Sequence, residues 1–377
     1  MNTPTSNDYF GQICIKSLPV FVILAPALCE AAPGELDTTF GMSGYVATSF
    51  STDGDLAKAV VVQSDGKIVV VGFLVVSNGR AFAMSRYDAG GNLDATFGTA
   101  GLVTTDLGPG MQDEGQAVAL QADGKIVAAG FAGVGADGDF ALVRYNADGS
   151  LDSSFGSGGI VTTDFFGASD AAHDVVIQPD GKIIAVGYTR DSNSTDFALA
   201  RYQGDGSLDT TFGSGGLVTS AFAEDTIGVS AVVLQPDGKI IVCGGVFNDD
   251  TIVDFALARY HSNGSLDTTF GTGGLVTAHL TNKDAFNDVA LLPDGRIIAA
   301  GTSQIDGVTG FDFVLARYHD DGALDTSFGS GGFVITDFAG RTDWVNSVVI
   351  QDDGKIVAAG RVDLADPDFG LARYNSS

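Results

Sequence analysis

An all-β, six-bladed β-propeller built from six four-stranded repeats of about 58 residues is the fold that this 377-residue sequence predicts. Three observations lead there. The element Leu-Asp-x-x-Phe-Gly recurs at Leu36, Leu93, Leu151, Leu208, Leu266 and Leu324, a step of 57 or 58 residues. Six Arg-Tyr pairs, from Arg86-Tyr87 to Arg373-Tyr374, keep the same step. Between these markers each copy carries a hairpin signal, such as QPDGKIIAVG from Gln178 to Gly187.

The third copy justifies the elements in order. It contains the short β-rich runs GIVTTDF (159–165), HDVVIQ (173–178), KIIAVGY (182–188) and DFALARY (196–202), and none has useful helical periodicity. Asp180-Gly181 between two apolar, β-branched runs supplies a tight turn. The Asp-Gly-Lys that returns in nearly every copy therefore reads as scaffold rather than as a repeated site. The two hairpin runs are apolar on both faces, so they need cover on both sides, and without helices that cover has to be more sheet. A linear solenoid would need polar capping units at its ends, which the sequence lacks. Ring closure would bring Tyr374 beside Leu36, as Tyr87 lies near Leu93.

The bulk numbers agree with one large folded unit over residues 34–377, with 45% hydrophobic and 18% charged residues and 52 glycines as punctuation. A net charge of −28 argues against nucleic acid and anionic membrane surfaces as partners. Residues 1–33 read as a leader: Lys16, then LPVFVILAPAL (18–28), too short to span a bilayer, then small residues around Ala31 and Ala32 where a signal peptide would be cut. A secreted, periplasmic or cell-surface location and a monomeric state are the corresponding expectations. Cys14 and Cys29 fall in that leader, so Cys243 stands alone in the folded part, at a position otherwise held by Val or Ala, as a small buried residue.

With DFALARYxxDGSLDxxFG followed by QxDGKIVxxG on the page, the chain from about Gly34 to Tyr374 resembles the bacterial delta-60 repeat family in all six copies. That resemblance implies a propeller-type domain of unknown function. It brings no catalytic residues with it.

Several constellations invite a chemical reading. The loop NADGSLD (146–152) partly imitates a calcium loop, but its acidic positions are not sustained across copies, and a turn with Gly149 in a left-handed conformation explains it with fewer assumptions. The Arg of each Arg-Tyr pair suits bidentate pairing with acids such as Asp152 or Asp209. The Asp before each Phe-Ala-Leu strand reads as a turn residue. No nucleophile elbow, zinc-type histidine pair, phosphate loop or cysteine pair occurs, and the histidines His173, His261, His279 and His319 sit on separate copies, so neither a catalytic residue nor a protein metal site is expected.

The copies differ most at one position, held in turn by Lys58, Gln116, His173, Ser230, Asn287 and Asn346. This polar ring, with Trp344 close by, is the expected ligand site, placed at a strand end and hence at the propeller rim or channel mouth. The functional expectation is a non-enzymatic module binding a protein or glycan. The alternatives are a carbohydrate-active hydrolase or lyase using rim carboxylates, and a purely structural surface protein.

Overall fold

The computed structural model describes residues 37–376 except positions 53, 109, 135–136, 166, 168, 191–193, 223–225, 248–251, 282, 306–309, 339 and 364–366. The predicted leader and Leu36 lie outside the described residues. Within them the protein is all β-structure: six antiparallel sheets follow one another around a ring as the blades of a six-bladed propeller. Five blades have four strands, and the sixth has three.

Blade three shows the construction. Its inner strand (Ser169–Ile177) turns through Gln178–Lys182 into the second (Ile183–Arg190), which pairs with the third (Thr195–Tyr202), which pairs with the fourth (Leu217–Ser220). The turn is what the sequence dictates: Gly181 takes φ of 86°, and Asp180 Oδ1 accepts from the Lys182 amide at 3.2 Å. One grouping differs from the sequence expectation. The strand of GIVTTDF (Ile160–Thr163) pairs with Asp137–Tyr145 and so completes the blade before the one whose motifs it precedes. Chain order alone cannot tell which neighbour such a strand joins. The pairing settles it.

Packing between blades supplies the core. Ile183, Ala185, Ala198 and Ala200 of blade three meet Val127, Ala129, Phe140 and Leu142 of blade two, all fully buried. The Phe of each third strand is a large member of these contacts, and burying one contributes roughly 2–3 kcal/mol. Phe82, Phe140, Phe197, Phe255 and Phe313 are at most 1% exposed, whereas their counterpart Phe369 in blade six is fully exposed and Leu371 is 68% exposed. Across the seam, Val60 and Val62 of blade one are exposed by 60% and 64%. Residues 45–48 correspond to the fourth strands elsewhere and are held against blade one by a Tyr87 hydroxyl bond to Thr48 Oγ1 at 2.7 Å, the bond that Tyr145 makes with Thr105 in the next blade.

Candidate functional site in the channel wall

The inner strands of successive blades, Asp55–Val62, Glu114–Leu120, Ser169–Ile177, Thr226–Leu234, Asp284–Leu291 and Asp343–Ile350, pack one upon the next, and the fourth strands do not. The inner strands therefore line the axis of the ring. Each contains a β-bulge at the same place, between Ala57 and Ala59, Gly115 and Ala117, Ala172 and Asp174, Val229 and Ala231, Phe286 and Asp288, and Val345 and Ser347, and Thr226–Leu234 has a second register shift between Thr226 and Gly228. The extra residue is in turn Lys58, Gln116, His173, Ser230, Asn287 and Asn346. The six positions at which the copies disagree are the six bulged residues. None is fully buried: Gln116, His173, Ser230 and Asn287 are partly exposed, and Lys58 and Asn346 are exposed.

A bulge leaves one residue unpaired and re-aims its side chain, which suits a site. Its backbone also explains the closing glycine of QxDGKIVxxG. A Cβ on Gly187 would lie 1.8 Å from the carbonyl oxygen of Ala171, and one on Gly130 1.8 Å from that of Glu114. The repeated motif ends in Gly because the bulged strand leaves no room for a side chain there.

These residues lie inside the inner strands rather than at their ends, because each strand begins before the ring position: His173 is the fifth residue of Ser169–Ile177. The ring consequently belongs to the channel wall. His173 Nδ1 donates to the Val229 carbonyl of the next blade at 2.8 Å, and its ring stands edge-on to Tyr188 with centroids 5.4 Å apart. Burial lowers the His173 pKa, keeping the imidazole neutral with Nε2 as an acceptor. Asn287 Nδ2 donates to the Val345 carbonyl at 2.6 Å. Gln116 Nε2 donates to Glu114 at 2.9 Å, and the Lys58 ammonium lies 6.0 Å from the Phe73 ring. Asn346 is exposed. Trp344 is half-buried, with the Phe311 ring at 6.0 Å and the Arg361 guanidinium at 5.0 Å from its own ring.

Two residues of this wall escape the sequence reading. Asp174 and Asp288 follow the bulged residue in blades three and five, where the other copies have Ala or Ser. Each reaches across to the next blade: Asp174 Oδ2 accepts from the Val232 amide at 2.8 Å, and Asp288 Oδ2 from the Val348 amide at 2.7 Å and the Ser347 hydroxyl at 2.9 Å. Burial pushes the Asp174 carboxyl up to about 7 against those hydrogen bonds, with the charge of Asp288 adding to the rise. Asp288 is raised for the same first reason, burial. The signal available in the sequence was an acid occurring in only two of six equivalent positions.

The outer side of each blade is built differently. Arg201 Nε donates to Asp209 Oδ2 at 2.8 Å, its guanidinium stacks 4.6 Å from the Phe212 ring, and Nη1 donates to the Ser262 carbonyl of the next blade. Lys182 of the hairpin turn joins the same carboxylate at 3.4 Å. Burial alone would raise Asp209, but Thr211 hydrogen bonds and the charges of Arg201 and Lys182 hold it at about 2. Arg86, Arg144, Arg259 and Arg317 repeat the arrangement. The arginines are structural ion pairs in these five blades. Arg373 is exposed. In the NADGSLD loop, Asp148 Oδ1 accepts from both the amide and the hydroxyl of Ser150, and Gly149 has φ of 86°. Cys243 is fully buried, and burial raises its thiol well above the usual range.

The family of domains of unknown function described as the DUF5122 beta-propeller matches residues 63–97, 121–155, 178–212, 235–270, 292–328 and 351–377. The chain belongs to this family. No curated protein matches it. Among solved structures, it is similar to a putative gluconolactonase (12% identity, TM-score 0.38, covering 85% of this chain and 90% of that one). It is also similar to a glucose dehydrogenase (11%, 0.46, 87% and 99%) and to a catalytically inactive virginiamycin B lyase from Staphylococcus aureus with quinupristin (10%, 0.45, 87% and 87%). At these values the likenesses carry no functional argument.

Proposed function

We propose that this DUF5122 propeller is a non-enzymatic binding module of the cell surface or exterior, and that it takes a neutral, hydroxyl-rich ligand, a glycan, in its channel. The observation that carries this reading is the coincidence of sequence divergence with the bulges: six polar side chains of five kinds, none fully buried, stand where the backbone re-aims them. Amides at Gln116, Asn287 and Asn346 and the neutral imidazole of His173 offer both donors and acceptors, which is what sugar hydroxyls require. The half-buried face of Trp344 lies two residues from Asn346 and suits stacking on a sugar ring. The motif pairing of LDxxFG with QxDGKIVxxG supports the finer placement among delta-60 repeats. The leader-like residues 1–33 support export, and the −28 charge supports solubility there.

A glycan array with the wild-type protein tests this directly. Hits whose affinity falls at least tenfold in a His173→Ala, Asn287→Ala, Asn346→Ala triple variant that keeps its fold support the site. Unchanged affinity refutes it.

A second reading has its own observation. Asp174, raised to about 7, shares the wall with Asp288 and neighbours His173, so a proton donor and an acceptor are both at hand for glycoside hydrolysis or elimination. Turnover of any array hit, abolished by Asp174→Asn, would favour this reading over binding alone.

A further inference from the structure

Among the described residues, three groups of side chains bring one potential ligand atom each to within 4.8 Å of one another: Asp139, Asp164 and Asp170; Asp254, His279 and Asp284; and Asp312, Asp337 and Asp343. All three occupy the same place in the repeat, at the junction of two blades. The first member lies at the start of a third strand, the second just after the fourth strand, and the third at the start of the next blade's inner strand.

The groups differ in how their charge is settled. In the second, His279 Nδ1 lies 2.7 Å from Asp254 Oδ1. Its buried acid, Asp284, accepts from the Leu280 and Thr281 amides and from the Thr281 and Ser303 hydroxyls, so both oxygens are satisfied. In the other two groups an aspartate, Asp164 or Asp337, replaces His279. Three carboxylates then meet, and no ion pair neutralises them among the described residues.

The buried acid is left incomplete in both. Asp170 is 1% exposed and Asp343 0%. One oxygen of each accepts from a backbone amide, of Phe165 or Phe338, at 2.8 Å, while Oδ1 is buried without a hydrogen-bond partner. Thr189, opposite Asp170 in the strand register, turns its buried hydroxyl to that carboxylate and opposes the rise in its pKa, without meeting hydrogen-bond geometry at Oδ1. A buried anionic oxygen beside two more carboxylates calls for a cation rather than a donor.

We propose that these two junctions each bind one calcium ion, through Asp139, Asp164 and Asp170 and through Asp312, Asp337 and Asp343. The ligand set is all oxygen, which suits hard cations and disfavours zinc, copper and nickel. Oxygens at about 2.3–2.6 Å from one calcium ion are at most roughly 5 Å apart, which the groups satisfy. Magnesium demands a near-ideal octahedron that ligands drawn from three chain segments of two blades are poorly placed to supply. Burial first and the neighbouring acids second raise Asp139 and Asp343, and raise Asp312 to about 6. That is the repulsion a bound cation relieves. Each ion would tie two blades together at a solvent-open edge, since Asp164 and Asp337 are exposed. The proposal is independent of the channel reading.

Trp344, the only tryptophan, adjoins Asp343 and provides a local reporter. Terbium added to the chelator-treated full chain should emit when excited through tryptophan, and calcium should displace it. Asp312→Asn with Asp337→Asn should remove that emission while leaving the fold intact, because Asp337 is exposed and the amide bond to Asp343 is untouched. Trp344→Phe should remove the emission but keep the calcium-induced rise in Tm. Calorimetry should count two calcium ions per chain, and three in a His279→Asp variant. Absence of both emission and Tm shift up to about millimolar calcium overturns the proposal, as does terbium emission that survives the double Asn variant.

Discussion

The outer latch and the inner bulge of each blade are built from one repeat, yet they behave in opposite ways across the six copies. At the latch, Arg201, Asp209, Phe212 and Lys182 have counterparts of nearly unchanged chemistry, and every group touches another of the set or the next blade. At the bulge, the backbone is repeated but the side chain is Lys, Gln, His, Ser or Asn. Where the Arg, Asp and Lys set holds blades together, one solution serves five copies, with Arg373 exposed in the sixth. Where the backbone alone makes the shape, the side chain is free to differ, and that freedom is where a ligand can be specified.

The largest expected effect breaks the latch. Arg259→Ala takes the guanidinium from Asp267, 1% exposed, and leaves Lys239 at 3.3 Å as its remaining cation, so it should cost about 3 kcal/mol in a urea melt, the low end for breaking a buried pair. Arg373→Ala sharpens the contrast, because Arg373 is exposed and its loss should cost less than about 1 kcal/mol. Equal losses would mean that the seam between the first and last blades carries a sixth latch in solution.

Next in size is the bulge backbone. Gly187→Ala drives a Cβ against the Ala171 carbonyl and should cost about 1–3 kcal/mol, with perturbed signals at His173 in a nuclear magnetic resonance spectrum. Gly204→Ala, where nothing lies within 4 Å of the added carbon, should leave both unchanged.

Acidity separates the two regions further. Asp174, with a folded pKa of about 7 and an ordinary value near 4 when unfolded, favours the folded state fully below about pH 4 and loses that contribution as pH rises to about 7. Asp209, depressed to about 2, does the opposite: its contribution is present above about pH 4 and is lost as pH falls toward 2. Asp174→Asn should therefore flatten the stability profile on the neutral side only, as read from chemical melts across pH. A slope unchanged between about pH 4 and 7 would show that Asp174 does not carry it. The smallest effect belongs to the turn: Lys182→Ala removes a partly exposed pair and should cost under about 1 kcal/mol.

Much of this was legible in the sequence, for physical reasons. The blades were, because Asp-Gly turns and β-branched runs repeat at one step, and so was the pairing of Arg201 with an acid such as Asp209. The bulge was not. A polar residue before an apolar run reads equally well as the last residue of a loop, which is why His173 was assigned to a strand end. The missing clue was Gly187, whose lack of a side chain is a demand of the bulged neighbour. Asp174 and Asp288 do not stand out in a sequence where acids are abundant, and only their contact with the next blade sets them apart. The acid trios could not be read at all, since their members come from three separate segments of the repeat.

The central claim is that divergence among the bulged residues makes a binding site. It is tested most directly by probing one glycan array with the wild-type protein and with a folded His173→Ala, Asn287→Ala, Trp344→Ala, Asn346→Ala variant side by side. The account predicts discrete hits for the wild type that vanish in the variant. The same hits with both proteins, or none with the wild type, would contradict it.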